Sequence, residues 1–146
     1  MSDQDEKQVR ALCDHVAEAI RTRNLDRMMS AYAEDVVQFD VTGALAQHGA
    51  AEVRATTRTW FESWEGPIDF EVRDLTIASH GDVAFARSFN RSAGTTKHGN
   101  RVAMWVRWTA CFRKQHGAWK VIHEHVSVPF DPDTMKPSLG LDPARR

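Results

Sequence analysis

The chain has 146 residues, a formal net charge of −1 at pH 7 and two cysteines. That length fits one domain with a full core, and the balanced charge argues against a nucleic-acid or membrane surface as partner. A polar, acidic N-terminus, no apolar run long enough for a bilayer and two cysteines without metal spacing lead to the expectation of a cytoplasmic protein with free thiols.

Residues 1–8 read as a frayed or capping segment, with Ser2 or Asp3 available as a helix cap. Val9, Leu12, Cys13, Val16, Ala17 and Ile20 recur at helical spacing and predict an amphipathic helix to about residue 23. Asn24 stops it. Leu25, Met28, Met29, Tyr32 and Ala33 repeat the pattern and predict a second, shorter helix. Residues 36–41 read as a strand, with Val36, Gln38 and Asp40 on one side and Val37, Phe39 and Val41 on the other. A third helix is predicted over 50–64, with Val53, Thr57, Trp60, Phe61 and Trp64 on its apolar side. Gly66-Pro67 breaks it.

The remainder reads as β. A strand over 68–79 carries Phe70, Val72, Leu75 and Ile77. The next, over 83–91, carries Phe85, Arg87, Phe89 and Arg91 on one side. Residues 92–100 read as a polar loop. A long hairpin follows over 104–130, dense in β-branched and aromatic residues around Gln115-His116-Gly117. A three-residue loop with Gly117 left-handed puts Val106, Trp108, Ala110 and Phe112 with Ile122, Glu124, Val126 and Val128 on one apolar face. Arg107, Thr109 and Cys111 then share the polar face with His123, His125 and Ser127. A two-residue loop would mix the two sets, because a slip of one residue turns every side chain over. The tail from 131 reads as extended or disordered. The expectation is one domain over 1–146 with its core over about 6–130.

Three helices followed by a strand-rich half make an α+β pattern. The sheet must curl around the helices, which leaves a cone with an open mouth where a pocket forms. Five tryptophans and seven phenylalanines against one tyrosine suit a core that also walls a cavity.

The element order, the run YAEDVVQFDVTG over 32–43, a helix opening at Gly49 and the closing GAWKVIHEHVSVP over 117–129 resemble the SnoaL-like, ketosteroid-isomerase-like superfamily, also named after nuclear transport factor 2. The resemblance covers nearly the whole chain. It implies a cone-shaped, curved, mixed sheet wrapped around three helices and enclosing a pocket, and a homodimer joined through the outer sheet face. The superfamily spans isomerases, polyketide cyclases, dehydratases, epoxide hydrolases and non-catalytic modules, so the fold by itself does not choose an activity. Asp40 falls where ketosteroid isomerase keeps its general base. That enzyme's two oxyanion donors fall on Val16 and on or beside Ala110, so both are missing. The closing strand also resembles the hub domain of calmodulin-dependent protein kinase; one of that hub's pocket arginines falls on Arg87, the other two near Ala110 and Val126.

These residues lead to the expectation that Asp40, Arg87 and Glu124 face one cavity. An aspartate in an apolar cone has its pKa raised by desolvation, which suits proton abstraction; its plainer role is to form the turn before Thr42-Gly43. A buried arginine either pairs with a carboxylate or holds an anion, and in an enzyme Arg87 would stabilise the developing oxyanion or anchor an acid group of the substrate. Trp60, Trp64 and Trp108 are expected as walls and Phe89 as further lining. Tyr32 would point its hydroxyl into the cavity, and His48 would sit near its mouth. His123 and His125 could chelate a metal, but no third ligand is at hand. With Arg107, Thr109 and Ser127 they read instead as a dimer face. No phosphate loop or nucleophile elbow is present, so neither cofactor nor metal is expected. Two readings stay open: a cofactor-free proton-transfer enzyme of isomerase or polyketide-cyclase type acting on a small hydrophobic ring-containing carbonyl compound, or a non-catalytic ligand-binding or association module.

Overall fold

The computed structural model describes residues 3–145; a cap by Ser2 lies outside them. Helix α1 (Asp3–Arg21) begins earlier than its apolar stripe. Asp3, Asp5 and Glu6 sit in the first turn, where negative charge is favoured by the helix dipole. Residues 3–8, expected to fray, are therefore helical. Asn24 ends the first helical segment and caps the next, its side chain accepting from the Arg27 amide at 3.0 Å. Helix α2 (Leu25–Met29) is shorter than predicted, because Tyr32 opens strand β1 (Tyr32–Phe39). There Tyr32 pairs with Val121, and the Val121 amide donates to Ala31 at 2.8 Å. Distant sheet pairing overrides local helical spacing.

Strand β2 (Gln47–His48) and helix α3 (Ala50–Glu62) follow. Trp64, predicted as the last helical residue, instead begins strand β3 (Trp64–His80). Strands β4 (Val83–Thr96), β5 (Arg101–Gln115) and β6 (Ala118–Ser127) complete the main sheet. Residues 92–96, expected in a loop, continue β4, and only 97–100 turn the chain. The tail forms a small hairpin, β7 (Phe130–Asp131) with β8 (Lys136–Pro137), and Asp142 reaches Arg73 at 3.6 Å. No helix among the described residues is long and apolar enough to cross a membrane.

The architecture is α+β, a curved mixed sheet around three helices in the order β2-β1-β6-β5-β4-β3. β1 runs parallel to β6 and the other neighbours are antiparallel. Helix α1 packs mainly on β3 and α3 on β1. Val9, Val36, Val53, Ile68, Phe112 and Val121 are almost wholly buried between these layers.

Two bulges decide which residues face inward. In β3, alternation alone would set Phe70 and Val72 against Leu75 and Ile77. Asp74 takes a left-handed φ of 59° and the register shifts between Arg73 and Thr76. The extra residue reverses the alternation, so all four side chains turn inward. The β5–β6 hairpin holds the second case. Its loop has two residues, His116 and Gly117, both left-handed (φ 52° and 80°), and Gln115 pairs with Ala118. This is the two-residue geometry that matches strand twist, not the expected three-residue loop. A bulge at Ile122, between Val121 opposite Phe112 and His123 opposite Cys111, then reverses the alternation. Beyond it the expected faces hold: Trp108 pairs with Val126 and Ala110 with Glu124 inside, Thr109 with His125 and Arg107 with Ser127 outside.

Candidate functional site

Between the helices and the inner sheet face lies a cavity of about 700 Å³. Helix α1 contributes Cys13, Val16 and Ile20, and α3 contributes Thr56, Thr57 and Trp60. The sheet supplies Phe70, Val72, Val106, Trp108 and Val126 as apolar walls. A space of this size, apolar with a few polar groups, has the character of a small-molecule site.

Its polar centre is Glu124, only 3% exposed. The Tyr32 hydroxyl donates to Oε1 at 2.7 Å and the Gln38 amide donates to the same oxygen at 2.5 Å. The Trp108 indole donates to Oε2 at 3.0 Å. Three donors from two strands, β1 and β5, converge on one carboxylate, so its position is well defined. Burial raises the Glu124 pKa; the three donors work against that shift, and nearby Asp40 adds to it. Burial likewise holds the Tyr32 hydroxyl well above its ordinary range, with the Glu124 charge second. Tyr32 therefore acts as a neutral donor.

Asp40 lies just past the end of β1, on the same side of the strand as Gln38, and lines the cavity. Its pKa is raised by burial, and the Val41 amide, donating at 2.7 Å, is its sole opposing partner among the described residues. The two carboxylates thus differ. Glu124 is held on both oxygens, whereas Asp40 keeps most of its accepting capacity free. No lysine, arginine or histidine lines the cavity among the described residues. Cys13 also borders it; burial pushes that thiol up to about 12, so it stays protonated and inert.

Six of the expected site residues meet here: Tyr32, Asp40, Trp60, Trp64, Trp108 and Glu124. Arg87, Phe89 and His48 do not. Arg87 is exposed on the outer sheet face, opposite Thr76 and Thr109, so it neither pairs with Asp40 nor reaches a cavity ligand. Phe89 is half-buried on the same outer face, between Arg73 and Arg107. His48 is exposed at the sheet edge, where its backbone amide donates to Glu52 at 2.6 Å. Into the cavity β4 turns Ser88, Asn90 and Ser92 instead. The alternation Ser-x-Asn-x-Ser is legible in the sequence, but the flanking Phe85, Arg87, Phe89 and Arg91 are larger and favour the opposite face as the inner one. Gln38 was placed on the right side of its strand without being read as a site residue.

On the outer face Phe39 meets His123 edge-on at 4.7 Å and His125 at 5.5 Å. A His123 ring nitrogen lies 2.7 Å from the Val37 carbonyl. Arg73 stacks over Trp105 at 4.8 Å.

No curated protein sequence matches the chain. Among solved structures, an NTF2-like protein of unknown function from Pseudomonas putida KT2440 is 34% identical, with a TM-score of 0.90 over 98% of this chain and 99% of that one. A ketosteroid isomerase-like protein from Erwinia carotovora atroseptica is 20% identical, with a TM-score of 0.74 over 86% of this chain and 96% of that one. A protein with a cystatin-like fold from Nostoc punctiforme is 16% identical, with a TM-score of 0.73 over 90% and 95%. The last two are similar in fold alone. Residues 9–131 match the SnoaL-like domain, and the chain belongs to that family.

Proposed function

We propose that this protein holds a neutral, hydrophobic, ring-containing carbonyl compound in its cavity and moves a proton on it without a cofactor, with Asp40 as the base. The observation that carries this reading is the contrast between the two cavity carboxylates. Asp40 is desolvated and, among the described residues, engaged only by the Val41 amide, while Glu124 is held by three donors. A carboxylate with a raised pKa and free lone pairs suits general-base work near neutral pH.

In the reaction, an Asp40 oxygen takes the proton from the carbon beside the carbonyl. The C–H electron pair becomes a carbon–carbon double bond, and the carbonyl π pair moves to oxygen as an enolate. Where the substrate carries a β,γ double bond, the enolate pair re-forms the carbonyl, the α,β double bond stays, and the γ carbon takes the proton back from Asp40, which completes an isomerisation. Trp60, Trp64 and Trp108 wall the site against water. Glu124 is held in place by its three donors, and in its ionised form, with no lysine, arginine or histidine lining the cavity among the described residues, it disfavours ligands bearing an acid group. Arg87 has no part in this scheme.

Deuterium exchange into β-tetralone, a bicyclic ketone, tests the reading by NMR. Asp40→Asn should slow exchange at least about a hundredfold, the usual contribution of a general base, while binding of the ketone, followed by tryptophan fluorescence, persists. The wild-type rate should climb as pH rises through an Asp40 pKa above the ordinary carboxylate range, because only the ionised form accepts the proton. Exchange that survives the substitution refutes the base assignment.

The second reading, a non-catalytic binding module, draws support from the apolar Val16 and Ala110 at the positions of the isomerase oxyanion donors. It predicts ketone binding without exchange. Under either reading the protein works in the cytoplasm, where its two free thiols stay reduced. It pairs as a homodimer through the outer sheet face around Arg107, Thr109, His123, His125 and Ser127. The exposed Phe39 and Phe85 on that face favour such pairing.

A further inference from the structure

Abstraction of a proton beside a carbonyl leaves negative charge on oxygen, and an apolar cavity must offer a donor there. Most donors around this cavity are engaged elsewhere. The Tyr32 hydroxyl, the Gln38 amide and the Trp108 indole all donate to Glu124. The Thr59 and Ser63 hydroxyls return to helix carbonyls. Asn90 is different. It is only 8% exposed, lines the cavity from β4, and sits in register with Val72 on one side and Val106 on the other. The Ser88 hydroxyl donates to its Oδ1 at 2.6 Å. Its Nδ2 enters no hydrogen bond among the described residues. With Asn90 lining the cavity, that nitrogen is free to donate to an acceptor supplied by a ligand.

We propose that the Asn90 amide nitrogen is the donor that receives the ligand's carbonyl oxygen, oriented by the hydroxyl of Ser88. This rests on the proton-transfer reading and adds its electrostatic half. The hydroxyls of Thr56, Thr57 and Ser92 also border the cavity, but they rotate freely. Asn90 is a planar group held at its other end, so it is aimed before the ligand arrives. β4 stands three strands from β1, about 14 Å along the sheet, and curvature shortens the span between their inward side chains. A flat bicyclic ketone bridges that space, with its oxygen at Asn90 and its acidic carbon towards Asp40. The carbonyl is thus gripped from β4, not from Arg87.

The test compares β-naphthol, which carries an enol-like hydroxyl on a flat ring, with naphthalene, which carries no oxygen. Binding is read by tryptophan fluorescence in the wild type, Asn90→Ala and the nearly isosteric Asn90→Asp. The wild type should prefer β-naphthol, and each variant should lose about tenfold of that preference, the equivalent of one hydrogen bond, with naphthalene affinity unchanged. Exchange into β-tetralone should fall about a hundredfold in kcat with KM little altered. Preference for β-naphthol that persists in both variants overturns the assignment. So does a wild type that does not distinguish the two probes, or loss of naphthalene affinity in both variants, which would make Asn90 a structural residue. A wild type that prefers β-naphthol yet exchanges no deuterium refutes the proton-transfer reading and leaves Asn90 as a binding donor.

Discussion

Tyr32→Phe probes the Glu124 network with the least disturbance. The change deletes one oxygen and its 2.7 Å hydrogen bond, and the ring stays in a nearly closed site. A hydrogen bond to a charged group contributes about 1.5–3 kcal/mol, and one between neutral partners about 0.5–1.5 kcal/mol. The loss should therefore be about 2 kcal/mol with Glu124 ionised and about 1 kcal/mol with it protonated. The direction of the pH dependence follows from linkage. Burial holds the folded-state pKa of Glu124 above its usual 4.5, so the native state keeps the proton more tightly than the unfolded chain. That contribution to stability is lost as pH rises from the unfolded value through the folded one. Removing a donor to the ionised form raises the folded pKa further and widens the window. The deficit of the variant should grow by about 1 kcal/mol as pH rises from the unfolded-state value through the raised folded-state one. For a chain of this size that is about 2–4 °C in Tm at the acid end and about 4–8 °C at the alkaline end. Urea unfolding followed by tryptophan fluorescence at several pH values measures it. A deficit that is flat with pH, or that shrinks as pH rises, refutes the view that Tyr32 serves an ionisable, buried Glu124.

Three further outcomes follow from the packing. Cys13, its thiol pushed up to about 12 by burial, should resist iodoacetamide at neutral pH in the folded protein and react once unfolded, as read by mass spectrometry of the digest; labelling in the native state at the free-thiol rate refutes this. Gly94→Ala should lower stability by about 1–3 kcal/mol, because an added Cβ would meet the Trp64 ring at 3.2 Å; thermal unfolding reports it, and an unchanged Tm would mean that the indole moves aside freely. Phe85→Glu puts a charge on the outer face where Phe85 is 50% exposed; sedimentation should shift from a pair of 16.5 kDa chains to one, and a wild type that is already monomeric sinks the homodimer.

The face assignments show how much local pattern carried. Alternation placed Gln38 and Asp40 together on the inner side of β1. The apolar stripe of α1 put Cys13, Val16 and Ile20 against the cavity. The residue content of the hairpin sorted Glu124 inward and His125 outward, even though the loop was expected one residue too long. That sorting succeeded because burial, not turn length, selects a face, and the bulge at Ile122 adjusts the register to suit. The inversion in β4 shows the opposite case. Reading large residues as inward fails when the inner face borders a hollow and the outer face is an open sheet, so Arg87 and Phe89 face out while Ser88 and Asn90 face in.

The α+β class, the family, most strand faces, and Asp40 and Glu124 as carboxylates of the cavity side are legible in the residues alone, because these follow from periodicities of two and 3.6 and from local motifs. Long-range packing was needed to show that Tyr32 belongs to a strand, that no lysine, arginine or histidine among the described residues lines the cavity, and that Glu124 is held by residues 92, 86 and 16 positions away. Those facts depend on strand order and bulges, which bring together groups that no local spacing relates, and on the balance of burial against hydrogen bonding once they have met.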